Sequence, residues 1–517
     1  MSSSERAILI ATLTAAPGDA NLDRLAREAD VLEVRGDLVG DLSPAALRER
    51  FPGRLLYTLR SRTEGGGGEN SPERRRRRLI EAAAGYDLID LEADRDLTPE
   101  VLRSVPAEKR VVSWHGGPTA LEDLKACLGR MLETPAFLYK LIPAAIQPGD
   151  AFAPLLLLAG AGRGDVAAFA SGLPGVWTRL VAPRLGARFV YGAAGEVPGA
   201  PGQLSIAKLR ADYGLPELPP VEALYGIVGN PVLHSLSPRL HNGCYRALGI
   251  PALYLPFHVD SFGDFWLEVV EGTAFAEIGL PLRGLSVTAP HKEAALAVAG
   301  AESPLAGRIG AANTLVLEGD VWEAESTDPE GIVLPIRARG FEVAGRRAAV
   351  VGAGGAGRSA AVGLAAAGAR VTLVNRSEER GRLAAEDLRL PFLPIERFDA
   401  GAFDILIQAT ALGRSPGDPP PFDIASVRPG AIVVDLVYLA GSPGPTPLLA
   451  AAAARGAVPI DGREVLLSQA LGQFRRMTGR EMPVELARDL LGIGGAVDSG
   501  RPGRTESFGN FRRESAS

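Results

Sequence analysis

Eight short β-rich runs separated by helical spacers fill roughly the first 210 residues, and this alternation limits the possible folds more than any other feature. Strands that alternate with helices form parallel sheets, and eight strands are the number that closes a (β/α)8 barrel. The spacing therefore predicts an N-terminal (β/α)8 barrel. The predicted strands are residues 7–11, 31–35, 55–59, 88–92, 110–114, 136–141, 166–170 and 188–191.

Polar residues collect at the carboxyl ends of these runs, where a barrel places its catalytic groups. Lys140 interrupts the apolar run 137–143, which is unusual for a purely structural strand, and a neutral lysine amine can attack a ketone. His115 ends the fifth run and could transfer protons near neutral pH. We therefore expect carbonyl chemistry at the barrel mouth. The other polar strand ends are Glu33, Arg35, Arg60, Asp90 and Glu92.

These residues lie in stretches that resemble the type I 3-dehydroquinate dehydratases, in order and spacing, across residues 5–213. The resemblance implies that Lys140 forms a Schiff base with the C3 ketone of dehydroquinate. It implies that His115 takes a C2 proton and returns it to the departing C1 hydroxyl, with Glu64 orienting the imidazole. The implied substrate contacts are Glu33, Arg35, Arg60, Glu64, Arg179 and Gln203.

This region departs from the family pattern at two positions. Gly116 follows His115 where the family usually carries Asp, and Gly199 stands where the lid usually has Ser. Neither change removes a reacting group, so we expect the dehydratase chemistry to be retained.

Residues 350–357 contain a G-x-G-x-x-G pattern between an apolar run and an Ala-rich helix. Such glycines let backbone amides approach a pyrophosphate at a helix N-terminus. The next run ends at Arg376, where an NAD enzyme would carry an acid, and Arg380 follows one turn later, so NADP is favoured. The predicted cofactor residues are Gly352, Gly354, Gly355, Ala356, Gly357, Asn375, Arg376, Ser377, Arg380 and Thr410.

Residues 224–490 resemble the shikimate dehydrogenase family, on motifs at residues 229–238, 286–292, 310–314, 327–328, 409–413, 435–438 and 467–470. The resemblance implies that Lys292 and Asp328 form the catalytic pair. An ammonium beside a ketone can stabilise and protonate the developing alkoxide. The implied substrate contacts are Ser235, Ser237, Thr288, Asn313, Tyr438 and Gln469.

Together the resemblances imply a bifunctional enzyme of the shikimate pathway of aromatic amino acid biosynthesis, because the product of the first reaction is the substrate of the second. The predicted fold is α/β, with a (β/α)8 barrel followed by a two-domain dehydrogenase unit. The predicted parts are the barrel at 1–213, a Pro-rich linker at 214–222, a substrate-binding domain at 223–332, an NADP-binding Rossmann domain at 333–455, returning C-terminal helices at 456–490 and a disordered tail at 491–517.

Parts of the sequence also allow two alternative functions. The second half could prefer quinate and NAD, but Ser235 with Ser237, and Arg376 in place of an acid, argue against that preference. The chain could also be a ligand-sensing regulator built from decayed enzyme domains. Decay would remove catalytic residues first, yet Lys140, His115, Lys292 and Asp328 are all present.

Charge and composition exclude several other classes. The net charge is −6, with 55 Lys+Arg against 61 Asp+Glu, so no nucleic-acid partner is expected, and the arginine run 74–78 predicts a solvated helix face. The chain has only two cysteines, and they lie far apart, so we expect no disulfides. Because no signal-peptide pattern is seen, we expect a cytoplasmic protein. The longest apolar run, residues 151–162, is too short for a membrane span. No set of His, Cys and carboxylates has metal spacing, so no metal is expected.

Overall fold

The computed structural model describes residues 6–68, 71–413, 417–439 and 444–494. It contains three sheets, formed in chain order by strands 1–8, 9–14 and 15–20. Most of the predicted tail at 491–517 lies outside the described residues. The described part of the chain contains no helix that is both long and apolar enough to cross a membrane.

The first sheet has eight parallel strands, and the prediction of a (β/α)8 barrel is confirmed. The strand order is β7-β6-β5-β4-β3-β2-β1-β8, and among the described residues no ladder joins β7 to β8, so the barrel is nearly closed. Strands such as β2 are buried along their whole length, as expected where helices cover a parallel sheet. The strands are β1 Ile8–Leu13, β2 Val31–Arg35, β3 Arg54–Thr58, β4 Leu88–Glu92, β5 Arg110–Gly116, β6 Leu138–Pro143, β7 Val166–Ala168 and β8 Phe189–Ala193.

The second sheet has six strands in mixed directions, ordered β10-β9-β11-β13-β14-β12. Strands β10, β9 and β11 run parallel, whereas β13 is antiparallel to both β11 and β14. The parallel half brings the carboxyl ends of β9 and β11 to one edge, beside the motifs that follow them. The strands are β9 Ala223–Gly229, β10 Ala252–His258, β11 Leu282–Val287, β12 Ala301–Glu302, β13 Thr314–Glu318 and β14 Val321–Glu325.

The third sheet has six parallel strands in the order β17-β16-β15-β18-β19-β20. The strand order reverses between β15 and β18, which is where doubly wound sheets bind nucleotides. This sheet extends to Ile460, so it reaches beyond residue 455, where the sequence placed its end. The strands are β15 Arg347–Val351, β16 Arg370–Asn375, β17 Phe392–Pro394, β18 Ile405–Gln408, β19 Ile432–Asp435 and β20 Val458–Ile460.

Twenty α-helices connect and cover these strands in the described residues. The barrel helices are α1 Asp19–Glu28, α2 Gly36–Val39, α3 Pro44–Arg48, α4 Pro72–Ala83, α5 Pro99–Ser104, α6 Leu121–Leu132, α7 Phe152–Ala161, α8 Thr178–Val181 and α9 Ile206–Tyr213. The next six are α10 Ser237–Leu248, α11 Phe262–Phe265, α12 Ala274–Glu277, α13 Lys292–Val298, α14 Pro304–Ile309 and α15 Asp328–Ala338. The last five are α16 Gly355–Ala366, α17 Glu378–Leu388, α18 Pro447–Ala454, α19 Gly462–Thr478 and α20 Val484–Leu491.

The C-terminal helix α19 packs back against the second sheet, and α20 packs on α10 and α19. The hydroxyl of Tyr225 in β9 donates to the carbonyl of Met477 at 2.7 Å, and Gln473 Nε2 donates to the carbonyl of Asn313 at 3.1 Å. Through these contacts, α19 forms one wall of the cleft that lies between the second and third sheets.

The arginine run in α4 is not uniformly solvated, so the predicted solvated face is wrong for Arg75. Only 1% of Arg75 is exposed, and its Nε donates to Asp96 at 2.7 Å. A second nitrogen lies 3.3 Å from Glu92 Oε2. Arg77, by contrast, is largely exposed. One arginine of the run therefore points into the barrel wall.

Candidate active sites

A cavity of ≈ 340 Å³ opens at the carboxyl ends of the barrel strands. The eight side chains predicted for the first site all line it, although they come from widely separated stretches of sequence. They are Glu33, Arg35, Arg60, Glu64, His115, Lys140, Arg179 and Gln203. The fold therefore assembles this predicted set at one place.

Lys140 lies in β6 with its amine beside a fixed carboxylate. Its Nζ is 3.0 Å from Asp90 Oδ2 and sits 4.6 Å from the centre of the Tyr191 ring. Arg60 contacts both oxygens of Asp90 at 2.9 Å. Burial alone would raise the pKa of Asp90, but Arg60 and Lys140 outweigh it and lower that pKa to about 2. Asp90 is therefore a permanent anion next to the amine.

His115 and Glu64 form a second contact across the cavity, with Nδ1 of the imidazole 2.9 Å from Glu64 Oε2. Burial, together with the positive charges of Arg60, Lys140 and Arg35, holds the pKa of His115 well below its usual value. The imidazole is therefore neutral at neutral pH and able to accept a proton. Burial also raises the pKa of Glu64 to about 8, although the contact with Arg60 opposes the rise.

The segment around residues 199–203 is tied across the cavity mouth by polar contacts. Arg35 donates to the carbonyl of Gly199 at 3.1 Å, and the amide of Gly199 donates to Gln203 Oε1 at 2.7 Å. Gln203 Nε2 in turn donates to Thr12 Oγ1 at 3.0 Å. Thr12 and Thr58 both donate to Glu33, at 2.6 and 2.8 Å. This segment therefore lies across the mouth of the cavity.

The space beside Gly116 is filled by the indole of Trp114. A Cβ atom added at residue 116 would lie 2.2 Å from Trp114 Cζ2, so a larger residue requires the indole to move. The same holds less severely at Gly199, where a Cβ would lie 3.0 Å from both Gln203 Oε1 and Thr12 Cγ2. Both departures from the family pattern therefore fit their local packing.

Arg179 is buried in the barrel with few polar partners. Its guanidinium lies 4.5 Å from the centre of the Phe169 ring, and one nitrogen donates to the carbonyl of Tyr191 at 3.3 Å. Its Nε is buried and has no hydrogen-bond partner in the described structure. Burial without a facing carboxylate lowers the pKa of Arg179 to about 10. Such an arginine is suited to bind an anion that enters the cavity.

A larger cavity of ≈ 980 Å³ lies in the cleft between the second and third sheets. All eight residues predicted for catalysis or substrate contact in the second half line it, and half of the predicted cofactor residues do so as well. The first group is Ser235, Ser237, Thr288, Lys292, Asn313, Asp328, Tyr438 and Gln469. The second group is Gly354, Gly355, Ala356, Arg380 and Thr410.

Lys292 and Asp328 meet in this cleft, each at the first residue of its helix. Lys292 Nζ lies 2.5 Å from Asp328 Oδ2. The other carboxylate oxygen accepts a hydrogen bond from Asn313 Nδ2 at 2.7 Å. The positive end of the helix dipole at α13 disfavours a lysine, so the placement of Lys292 is better explained by chemistry than by helix stability.

Two serines lie at the N-terminus of α10, in the same cavity. The amide of Ser237 donates to Ser235 Oγ at 3.1 Å, and both residues are buried. Tyr438 extends from the opposite wall, and its hydroxyl accepts from the amide of Leu236 at 3.5 Å. Hydroxyls and amides at a helix N-terminus form a favourable place for a carboxylate.

The glycine-rich loop follows β15 and begins α16. Gly352 has φ +116°, which residues with a Cβ rarely adopt, and a Cβ at Gly357 would lie 1.9 Å from the carbonyl oxygen of Gly352. A Cβ at Gly355 would lie 3.2 Å from Cβ of Lys292. The loop therefore needs glycine where it turns, and it lies directly against Lys292. This cradle fits a dinucleotide.

The remaining predicted cofactor residues do not line the cavity. Gly352 and Gly357 shape the loop from behind, and Asn375 Oδ1 accepts from the amide of Ala353 at 3.3 Å. Ser377 caps α17. Arg376 is exposed and has no ion pair in the described part of the chain, whereas Arg380 lines the cleft.

Sequence reasoning missed several residues of both cavities. Asp90 was noted as a strand end but not included among the site residues, although it contacts Lys140. Tyr191 in β8 supplies the ring below that lysine. In the second cavity, the Ser286 hydroxyl accepts from Tyr254 at 2.6 Å, and Gln473 reaches the cavity from α19. Polar side chains inside apolar strands were the available signal for Asp90, Tyr191 and Ser286, whereas Gln473 lies in helix α19, where this signal does not apply.

No group of three or more His, Cys, Asp or Glu side chains within the described residues is arranged to hold a metal ion. The ion pairs at both sites join carboxylates to lysine or arginine instead. The two described cavities therefore present organic acids, bases and cations to their ligands.

The fold and the two cavities define a protein with two separate sites, one at the mouth of a parallel barrel and one beside a dinucleotide-type sheet. The profile of the Type I 3-dehydroquinase family matches residues 7–218, and that of the Shikimate dehydrogenase substrate binding domain matches residues 227–315. The Shikimate dehydrogenase (NADP(+)) of Acidiphilium cryptum is 41% identical over 277 residues, covering 52% of this chain and 97% of the relative. The chain belongs to the shikimate dehydrogenase family and carries a type I 3-dehydroquinase domain ahead of that region.

Another relative matches both halves of the chain. The chloroplastic Bifunctional 3-dehydroquinate dehydratase/shikimate dehydrogenase of Arabidopsis thaliana is 29% identical over 495 residues, covering 90% of this chain and 80% of the relative. Among solved structures, shikimate dehydrogenase from Aquifex aeolicus is 30% identical, covers 52% of this chain and 97% of that chain, and has a TM-score of 0.48. Both resemblances inferred from the sequence are confirmed.

Proposed function

We propose that this chain dehydrates 3-dehydroquinate to 3-dehydroshikimate in the barrel and reduces 3-dehydroshikimate to shikimate in the second half with NADPH. It is thus a lyase and an NADP-dependent oxidoreductase of the shikimate pathway. The observation that carries the proposal is the presence of two complete catalytic sets in one chain. Lys140, His115 and Glu64 share the first cavity, and Lys292 and Asp328 share the second.

In the dehydration, the Lys140 amine attacks the C3 ketone, and loss of water gives a protonated imine. The Asp90 carboxylate, 3.0 Å from Nζ, stabilises that cation. The imine withdraws electrons from the neighbouring C2–H bond, so neutral His115 can remove the C2 proton. His115 then gives this proton to the departing C1 hydroxyl, and hydrolysis of the imine frees the product and Lys140.

Arg179 is the best placed contact for the substrate carboxylate in this first site. It is a buried cation without a carboxylate partner, whereas Arg35 is paired with Asp37 at 2.7 Å and Arg60 is paired with Asp90 and Glu64. The lid at residues 199–203 would close over the bound ring and exclude water from the imine.

In the reduction, bound NADPH supplies the hydride to the substrate carbonyl carbon. The Lys292 ammonium stabilises the alkoxide as it forms and gives it a proton. Asp328 holds that ammonium and can accept from the adjacent ring hydroxyl, while Asn313 fixes Asp328. Ser235 and Ser237 would bind the carboxylate with Tyr438, and Thr288 and Gln469 would bind ring hydroxyls.

The residues of the glycine-rich loop would hold the dinucleotide. Amides at the N-terminus of α16 face the cleft at Gly354, Gly355 and Ala356, where a pyrophosphate is favoured. Arg380 lines the same cleft, and Arg376, four residues earlier, is exposed, so we infer that both cations are available to a ribose 2′-phosphate. We assign these two arginines as the source of NADP preference.

We further propose the division into units predicted from the sequence, with the third sheet extended to Ile460. A cytoplasmic location, small-molecule partners without nucleic acid or membrane, and independence from metals remain part of the proposal. The two cysteines, Cys127 and Cys244, are buried and unpaired, as is usual in a reducing compartment.

The proposal is tested by assaying the two reactions separately on the purified chain. Dehydroquinate alone should give the conjugated enone of 3-dehydroshikimate, followed by ultraviolet absorbance. Supplied 3-dehydroshikimate should oxidise NADPH. A chain that binds these compounds without converting either would be the ligand-sensing regulator, and the proposal would be wrong.

Dehydratase activity should rise as the pH increases through about 8, the pKa to which burial raises Glu64. Below that pH the carboxyl is protonated, and above it the carboxylate can stabilise the imidazolium that forms when His115 accepts the C2 proton. The pH profile of kcat/KM reports such groups in the free enzyme. Glu64→Gln should lose this rise. If the rise persists unchanged in the variant, another group titrates there.

Cofactor preference should depend on Arg376 and Arg380. A charge-assisted contact to the 2′-phosphate contributes about 1.5–3 kcal/mol, or roughly 10–150-fold in affinity. We expect Arg376→Ala and Arg380→Ala to raise KM for NADPH within that range and to change KM for NADH little. Arg382→Ala is the matched control, because Arg382 pairs with Glu378 on the exposed side of α17. Equal weakening of both cofactors would contradict the 2′-phosphate assignment.

A further inference from the structure

Four aromatic rings join the barrel to the second half of the chain, and we call them the inter-half cluster. Phe152 and Trp177 come from the barrel, and Phe257 and Phe275 come from β10 and α12. Phe275 lies 5.0 Å from Phe152 and 5.3 Å from Trp177, and Phe257 lies 5.5 Å from Trp177, between ring centres. All four are at most 5% exposed. The two halves thus share one packed core at this point.

The inter-half cluster is linked to Arg179 through the backbone of Trp177. Trp177 immediately precedes α8, a single turn that carries Arg179 as its second residue. The carbonyl of Trp177 accepts from the amide of Leu180 at 3.0 Å, so the tryptophan backbone is part of that turn. One helical turn has little stability of its own, and its geometry depends on tertiary packing.

The side chain of Arg179 does little to fix its own position. It makes one long hydrogen bond to a carbonyl and stacks on Phe169, and no carboxylate pairs with it in the described structure. The packing of the neighbouring Trp177 ring is therefore a major constraint on where the guanidinium points. Two of the rings that pack against Trp177 belong to the second half of the chain.

We propose that the dehydrogenase half positions Arg179 of the dehydratase site, through Phe257 and Phe275 packed on Trp177. This inference rests on the proposed function, in which Arg179 contacts the substrate carboxylate. Phe275 and Trp177 are positioning residues, since neither lines the barrel cavity. The barrel site is then fully ordered only when both halves are present, which gives the covalent fusion a structural role in the first reaction.

Two matched substitutions in the full chain test this inference. Phe275→Leu removes a ring that packs on the barrel. Phe474→Leu removes a ring of similar burial, 0% against 4% exposed, that packs on His241 and Tyr245 within the second half. Both variants lose one buried aromatic ring, but of these two rings only Phe275 contacts rings of the barrel in the described part of the chain.

Phe275→Leu should raise KM for dehydroquinate by at least about threefold, yet less than the roughly 10–150-fold expected for complete loss of an arginine contact. Its dehydratase kcat should stay within about twofold, because Lys140 and His115 are undisturbed. Phe474→Leu should leave KM for dehydroquinate unchanged. A purely structural role would lower the amount of active protein in both variants without moving KM.

Arg179→Ala separates failure of this inference from failure of the proposed function. If Arg179→Ala raises KM for dehydroquinate but Phe275→Leu behaves like Phe474→Leu, the positioning role is overturned and the function stands. Hydrogen exchange supplies a readout that needs no activity. Amides of residues 178–182 should exchange faster in Phe275→Leu than in Phe474→Leu, and equal exchange would also overturn the inference.

Discussion

Lys140→Ala should lower dehydratase turnover by at least about 10⁴-fold, as expected when the nucleophile of a covalent mechanism is removed. The dehydrogenase reaction should keep nearly its full rate, because Lys292 and its cavity lie in another part of the fold. Borohydride added with dehydroquinate should reduce the imine and leave a stable adduct on Lys140, found by peptide mass spectrometry. Lys125→Ala is the control, since Lys125 pairs with Glu122 on the barrel surface.

Two outcomes would contradict this assignment. An adduct on another lysine, or none from an active enzyme, would remove Lys140 from the covalent step. A parallel loss of both activities in Lys140→Ala would indicate misfolding, since a buried amine facing Asp90 also contributes to barrel packing. Circular dichroism of the variant, compared with that of the parent chain, distinguishes these cases.

Lys292→Ala should lower kcat for the reduction of 3-dehydroshikimate by at least about 10²-fold, in the range for a positioned acid or oxyanion donor. Its ammonium meets little charge on the ground-state ketone but a full negative charge on the forming alkoxide, so its stabilisation is confined to the transition state. KM should change much less, because the serines at α10 still bind the carboxylate. Steady-state kinetics with saturating NADPH measure both constants.

Ser235→Ala supplies the opposite pattern for comparison. Its hydroxyl is placed to bind the substrate carboxylate before and during the reaction, so removing it should raise KM with a smaller loss of kcat. Dehydratase kinetics should be unaffected in both variants. A Lys292→Ala enzyme that is impaired only in KM would show that this lysine binds substrate, and the catalytic assignment would then be wrong.

The barrel and its cavity could be predicted because both depend on local patterns. Each strand is a short apolar run, and parallel strands bring their carboxyl ends to one edge. Lys140 and His115 lie near the ends of neighbouring strands, so they are expected to meet although 24 residues lie between them in the sequence. The glycine-rich loop was predictable for a similar reason. Its glycines are required by a positive φ at Gly352 and by the close approach at Gly357.

Features set by tertiary packing were not predictable from local patterns. The five arginines of α4 look alike in sequence, and only the turn of the helix directs Arg75 inward to Asp96. Arg380 lines the cleft whereas Arg376 does not, and α17 begins between them, so the two arginines leave the backbone from different local structures. Phe275 lies in a four-residue helix without periodicity, so nothing in its neighbourhood indicates contact with Phe152, more than a hundred positions earlier.

The most direct test of the two-reaction account supplies dehydroquinate and NADPH together to the intact chain and follows both ring products. The account predicts that NADPH is oxidised and shikimate accumulates. Lys140→Ala should oxidise NADPH with added 3-dehydroshikimate but not with dehydroquinate, and Lys292→Ala should stop at 3-dehydroshikimate. Either of two results would contradict the account. The first is oxidation of NADPH by the Lys140→Ala chain when dehydroquinate is the only substrate. The second is a Lys292→Ala chain that forms no 3-dehydroshikimate.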